Sequence, residues 1–446
     1  MRSTAIRAYG RKKTADNVEL YPQLVNKSEE VVDIAQAAQV RVFCVLLVLQ
    51  AVVSYRSVPR ILELFHQQNL ANLPWIPHFT SVINWSLRTG LGALIQIAPI
   101  PEPWVAIIDH SIDIGTKKAL VVLRVKLDAL QQRGSALQLQ DCECIGLKIC
   151  ETVNSDSVCA DLSEIFSQTG LPKAIIKDGD VTLAKGVRLW VEKQADDVAI
   201  IDDIGHSLAN ALKKQFEKTS TYKNFTAMIS HGAKCLRQTK FAFLTPPKLR
   251  TKGRFQSISK LGDWAVKILA IFNGEDSAML DKLRSSFPEL LQMQAFIESF
   301  ALTGKIVSEV SEILKNKGLN RQSYRECYAL SKTLPRGSKV KRQLQTWLKK
   351  HFKIQKQLAT PALPVSSDII ESLFGNYKHI LERSPQADMN RSVLLIPALC
   401  GNRKQEAIEK ALHQVSQLDL EKWESENIPY TVCKQRRQAL EDKSKK

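Results

Sequence analysis

Three acids in this chain stand where carboxylates could hold divalent metal ions. The strand-like run WVAIID ends on Asp109, a second run, KAIIKD, ends on Asp178, and Glu371 follows 193 residues later in DIIESLFGNYK, a stretch with helical periodicity. Hard cations such as Mg²⁺ want oxygen ligands and usually take only one or two carboxylates each, leaving positions for phosphate and water. A pair of such ions clamps the attacking and leaving oxygens of an in-line phosphodiester displacement. In a chain of net charge +18, that chemistry points to nucleic acid. Each acid also has an ordinary role open to it. Asp109 and Asp178 could serve strand-end turns, and Glu371 could be a surface acid near a helix N-terminus, where negative charge is favourable. Asp113 and Asp180 are close competitors, but Asp109 and Asp178 each directly follow an apolar strand.

Bulk properties agree with this direction. The 446 residues are 44% hydrophobic and 24% charged, enough for two to four globular domains. A pI near 9.4 implies a polyanionic partner. The nine cysteines contain no C-x-x-C pair, and Cys142 and Cys144 alternate along an expected strand, which suits zinc poorly. Reduced, structural cysteines follow, as in a cytoplasmic protein, nucleoid-associated if prokaryotic. The most apolar run, Val42 to Val53, is broken by Gln50 and is too short to span a bilayer. The basic tip (Arg2, Arg7, Arg11, Lys12, Lys13) leads into no apolar core, so neither a signal peptide nor a membrane partner is expected.

Several elements must position the acids. Residues 1–37 read as a basic, weakly ordered N-terminus and 38–97 as helical. Val42 to Val53 reads as a buried helix, and Ser57 could cap a second with Pro59 in its first turn. A third, PHFTSVINWSLRTG, is closed by Gly90. Its polar face, with Asn84 and Arg88, is compatible with the second helix of a DNA-reading helix-turn-helix, or with a plain three-helix packing domain. After a proline linker, residues 98–216 give three strands (WVAIID, ALVVLRVK, ECIGLKIC), then alternating helices and strands through KAIIKD and VAIID. That order predicts an α/β domain with a mixed sheet, whose ligand sites lie at strand carboxyl ends. Residues 217–360 read as helical and basic, with a loop carrying Arg250, Lys252 and Arg254 and a segment, PRGSKVKRQLQTWLKKHFKIQKQ, that has eight Lys or Arg and no acid. The Glu371 helix falls in 361–410, capped by Ser367 or Asp368, and 411–446 reads as a terminal helix and basic tail.

These residues together resemble the DDE transposases of insertion sequences, built on a ribonuclease H-like fold. The resemblance covers roughly residues 38–410, with Asp109, Asp178 and Glu371 at the three acidic positions. Lys378, two turns beyond Glu371, matches the E-x6-K part of an insertion-sequence signature, but Pro364 and Ser367 stand where that signature has Tyr and Arg. Asp203-Ile-Gly-His206 resembles the D-x-x-H motif of several transposase superfamilies. Asp203 also reads simply as a helix N-cap, with His206 at its third helical position. Trp264 in the helical stretch is similar to a Trp that holds DNA ends in hAT-like enzymes, and is otherwise a core residue.

The resemblance implies a ribonuclease H-like mixed sheet interrupted by a large all-α insertion and preceded by an all-α DNA-binding domain. It implies two Mg²⁺ ions per site, with Mn²⁺ able to substitute, bound by Asp109, Asp178 and Glu371. The activity implied is cleavage at the ends of an element and strand transfer of the exposed 3′-hydroxyl into target DNA, by a homodimer or larger synaptic assembly. Asn84, Arg88, Arg250, Lys252, Arg254, Trp264 and Lys378 would contact double-stranded DNA, with Asp203 and His206 in support. A ribonuclease H-like nuclease without strand transfer, or a transposase-derived DNA-binding protein without catalysis, are the alternatives.

Overall fold

The strand-forming runs of the first half become one five-stranded mixed sheet: β1 (Trp104–Ile114), β2 (Lys117–Lys126), β3 (Cys142–Cys150), β4 (Ala174–Lys177) and β5 (Ala199–Asp202). The computed structural model describes residues 34–428 apart from 71–72, 115–116, 151, 195–196, 249–257, 273, 275–277, 382–388 and 402–403. The basic loop with Arg250, Lys252 and Arg254, most of the basic N-terminus and the C-terminal tail therefore lie outside the described residues. Three helices precede the sheet: α1 (Ile34–Leu49), α2 (Ser57–Gln67) and α3 (Phe79–Ile95). Within and after it come α4 (Ser155–Thr169), α5 (Val181–Val191), α6 (Ile204–Phe216), α7 (Ser220–Leu236), α8 (Ile258–Phe272), α9 (Ala278–Ser286), α10 (Gln294–Lys317), α11 (Arg321–Thr333), α12 (Lys339–Gln357) and α13 (Asp368–Leu381). Finally there are α14 (Gln405–Gln414) and α15 (Gln417–Asn427).

The sheet order is β3-β2-β1-β4-β5. β1 pairs antiparallel with β2, β2 antiparallel with β3, and β4 runs parallel to both β1 and β5. The parallel strands are the near-continuous apolar runs expected of strands covered on both faces. Val105 to Ile108 and Ala174 to Ile176 are fully buried. On one face α4 and α5 complete a cluster in which the ring of Phe166 lies 5.9 Å from Trp104 and 4.7 Å from Trp190. Each such side chain contributes about 1.5–3 kcal/mol by leaving water. One expectation needs correcting: Asp109 does not end its strand. β1 continues to Ile114, and a register shift against β2 between Asp109 and Ile112 marks a bulge at that point.

The chain divides into two compact units, one from Gln96 to Phe374 and one combining the residues up to Ile95 with those from Gly375 onward. This differs from the expected boundaries in two ways. The helical stretch 217–360 counts with the sheet rather than as a domain of its own. The reason is α12, which is fastened to β5: Trp347 Nε1 donates to the Asp202 carbonyl (2.9 Å), His351 Nε2 accepts from the Asp202 N–H (3.1 Å), and Lys350 pairs with the Asp202 carboxylate (2.7 Å).

The second difference concerns α3, which packs with C-terminal helices rather than forming a free-standing domain at 38–97. Gly90 does not close it; the helix continues to Ile95. A Cβ on Gly90 would fall 1.8 Å from the Leu394 carbonyl oxygen, and one on Gly92 would fall 2.6 Å from the Ala411 Cβ. These glycines are sites of close helix approach.

Candidate active site

Asp109 and Asp178 are brought side by side by the parallel pairing of β1 and β4. Ile108 sits opposite Lys177; Asp109 follows within β1, and Asp178 directly follows the end of β4. Asp109 is 5% exposed and Asp178 half-buried. Burial raises the Asp178 pKa, although the Asp180 N–H donates to its Oδ1 at 2.9 Å. A desolvated carboxylate of this kind is stabilised by a nearby cation. Its competitor Asp180 is otherwise engaged as the N-cap of α5, accepting from the Leu183 N–H at 2.8 Å.

Glu371 is exposed in the first turn of α13. The start of that helix is held to the sheet by Asp203, which is 1% exposed. Asp203 caps α6 through the His206 N–H (2.7 Å), and its second oxygen accepts both the Ser367 N–H (2.8 Å) and the Ser367 hydroxyl (2.9 Å). A backbone bond from Ile204 N–H to the Val365 carbonyl (3.1 Å) runs beside them. One buried carboxylate therefore sets both the helix that follows β5 and the segment that delivers Glu371. Burial alone would raise the Asp203 pKa, but the bonds from His206 and Ser367 hold it below the usual carboxylate range.

His206 lies within electrostatic reach of two of these acids. Its Nδ1 lies 3.4 Å from Asp203 Oδ1, and that interaction, against the effect of burial, pushes the ring up to about 9. The charges of Asp178 and Glu371 raise it further. The imidazole is therefore protonated at neutral pH and feels one acid from the end of β4 and another from α13. By contrast His110, next to Asp109, is buried and pushed down to about 4, with neither ring nitrogen meeting a hydrogen-bond partner.

Carboxylate oxygens are the donor type a hard divalent cation prefers, and burial raises the pKa of one of these acids, Asp178. Among the described residues, no group of three or more His, Cys, Asp or Glu side chains is placed so that it could hold a metal ion. Asp202, another acid at a strand carboxyl end, is not available in the same way. Burial would raise it, but bonds from Lys177 (2.8 Å) and Lys350 (2.7 Å) hold it at about 2.

Other expected residues are placed differently. The polar face of α3 is internal: Asn84 donates to the Gln417 side chain, and Arg88 donates to the Val415 carbonyl (2.5 Å) and to that of Leu412. These bonds tie the two partly buried residues to C-terminal segments. Trp264 is likewise structural. Its Nε1 donates to the Leu244 carbonyl (2.9 Å) and its ring meets Phe287 edge-on at 5.4 Å. Lys378 is exposed on α13. Sequence reasoning noticed Ser367 only as a possible helix cap and missed its bond to Asp203. It also missed the cluster of Lys177, Asp202, Trp347, Lys350 and His351, whose members lie far apart in the chain and carry no shared motif.

No protein-family profile matches the chain, and no curated protein matches it. Among solved structures, the Drosophila P element transposase strand transfer complex is similar over 93% of this chain and 99% of that chain, at 11% identity and a TM-score of 0.40. A likeness at that level leaves the functional reading to the residues themselves. Among the described residues no helix is long and apolar enough to cross a membrane.

Proposed function

We propose that the chain is a DDE-type DNA transposase with a ribonuclease H-like core. The observation that carries this reading is the pairing of β1 with β4, which sets Asp109 and Asp178 on neighbouring strand positions, with the charges of Asp178 and Glu371 both acting on His206. The sheet order 3-2-1-4-5, with β4 and β5 parallel to β1, supports the same core. Two Mg²⁺ ions, or Mn²⁺ in their place, would be held by Asp109, Asp178 and Glu371. When bound, they would supply charge neutralisation for the attacking and leaving oxygens of an in-line phosphodiester displacement.

The chain's own residues supply positioning, which is most of what such a displacement asks of a protein. Asp109 keeps its register with Val121 of β2, the bulge following it, while the pairing of β1 with β4 keeps Asp178 close by. Asp203 and Ser367 fix the start of α13 and so the reach of Glu371. The contact of His206 Nδ1 with Asp203 keeps the ring oriented, a supporting role rather than a metal ligand. Lys378 would bind a DNA phosphate, with double-stranded element ends and target as the substrates. Two ends must meet, so the working form would be a dimer or larger assembly.

The test is a strand-transfer reaction with Mg²⁺ or Mn²⁺, using DNA that carries inverted repeats found flanking the gene. Joined products containing those ends in a target plasmid are expected. Cleavage without any joined product would reduce the protein to a nuclease, and no metal-dependent product at all would overturn the reading.

A further inference from the structure

The basic segment between the middle of the chain and Glu371 separates into two populations of cations in the structure. Between Glu326 and Asp368 the chain has nine Lys or Arg and no acid. Some of these cations are tied down internally: Lys350 to Asp202, Lys339 to the Lys214 carbonyl, and Lys341 to the carbonyls of Lys332 and Leu334. Others face outward. Lys349, Lys353 and Lys356 recur at helical spacing on one exposed stripe of α12, and on α11 Lys332 lines up with Arg321 and Arg325, which precede this segment, in a matching exposed stripe. Among the described residues none of these six forms an ion pair, whereas Glu326, the acid on α11, is turned to Lys317 at 2.8 Å. Four helical residues rise about 6 Å, so each stripe presents charge at regular short intervals.

Between the stripes runs a row of half-exposed rings. Phe352 of α12 stacks on Tyr324 of α11 at 4.3 Å and 15°, and Tyr324 stacks on Tyr328 at 5.8 Å and 20°. The row is capped by side chains that can swing away, Lys356 at 4.7 Å from the Phe352 centroid and Lys332 at 5.5 Å from that of Tyr328. A core-packing role explains why Phe352 meets Tyr324. It does not explain why the rings stay half-exposed between two acid-free rows of cations.

We infer that this α11–α12 face is a binding site for single-stranded nucleic acid. The cation rows follow the phosphates, and the ring row offers stacking surface to bases once Lys332 or Lys356 moves onto a phosphate. Duplex DNA could use the charge but not the rings, because its bases are already stacked. The inference does not depend on the carboxylate site, since it uses none of its residues.

Fluorescence anisotropy on the full chain tests it, with labelled 20-nucleotide oligo-dT, a 20-base-pair duplex, and a salt titration. The wild type should bind the single strand more tightly than the duplex. In Arg325→Ala/Lys349→Ala/Lys353→Ala the log–log salt slope should fall by about 0.7 for each phosphate that is no longer neutralised. Tyr328→Leu should weaken single-strand binding about tenfold while leaving duplex binding in place. All substituted residues are at least partly exposed, and unchanged thermal melts would establish that both variants fold. Equal or tighter duplex binding by the wild type would overturn the inference, as would full single-strand affinity in either folded variant. If the face binds oligo-dT as described but the protein cuts no DNA, the binding inference stands and the transposase reading falls.

Discussion

Asp203→Asn is the most informative single substitution, because one buried carboxylate holds two parts of the site. The wild-type side chain accepts the His206 N–H, interacts with His206 Nδ1, and accepts two donors of Ser367. An isosteric carboxamide keeps one accepting oxygen and turns an NH₂ toward the other pair of donors. Placed to satisfy Ser367, it leaves the His206 N–H and Nδ1–H facing a donor; placed the other way, it leaves Ser367 unpaired. Each buried donor without an acceptor costs about 1–3 kcal/mol, so two of them cost about 2–6 kcal/mol. That is a large part of a stability of about 5–15 kcal/mol, yet within it.

The pH dependence gives the substitution a signature. The Asp203 pKa is lowered, so its contribution is present above the ordinary carboxylate value of 3.8 and is lost as pH falls through its folded value. The His206 pKa is raised from 6.5 to about 9, so its contribution is complete below 6.5 and is lost as pH rises through about 9. Wild type should therefore lose stability on the alkaline side between those values, and Asp203→Asn should be flatter there as well as less stable. Thermal melts at intervals from pH 6 to 9.5 measure both effects. A variant that melts with the wild type and keeps the same alkaline slope would refute the role given to Asp203.

Other expectations follow from particular contacts. Gly90→Ala should destabilise the unit containing α3 by about 1–3 kcal/mol or more, since the added methyl meets the Leu394 carbonyl at 1.8 Å; denaturant unfolding would measure it. Arg88→Ala should lower stability by about 1–3 kcal/mol by leaving the Leu412 and Val415 carbonyls unpaired, with little change in duplex-DNA affinity, and a selective loss of affinity would restore the groove-reading role. Trp264→Phe should cost about 1 kcal/mol by removing the bond to Leu244 and leave end binding unchanged in a gel-shift titration. Asp202→Asn should remove about 1–2 kcal/mol, allowing for screening of a carboxylate that is 34% exposed. Because the Asp202 pKa is about 2, the wild-type advantage should persist above pH 3.8 and vanish as pH falls toward 2, which acid-unfolding curves would show.

The strands were legible because Val and Ile runs between turn residues have few alternatives, and all five lie within a few residues of where those runs predict. The extension of β1 beyond Asp109 was not legible, since HSID breaks the apolar run and the bulge there depends on pairing with β2. Gly90 looked like a helix end because glycine's usual meaning is local, whereas this one answers to a carbonyl some 300 residues away, Leu394. The bonds of Arg88 and Asn84 were hidden for the same reason: polar residues on a helix face look solvent-directed until the partner that accepts from them is known. Asp203 was legible as a cap, but its bond to Ser367 joins segments separated by the whole helical stretch. That Asp109 and Asp178 each follow an apolar run was readable in the sequence, although Asp109 lies within β1 rather than at its end. The approach of Glu371 to His206 depends on tertiary packing that no local pattern encodes.

The most direct test of the central claim is metal-dependent cleavage of DNA bearing the flanking inverted repeats by Glu371→Gln, with end binding measured on the same preparation. Cleavage should fall by about a hundredfold or more, the scale on which losing one group aimed at developing charge reduces catalysis. Binding should stay close to wild type. A Glu371→Gln protein that cut at the wild-type rate would contradict the account.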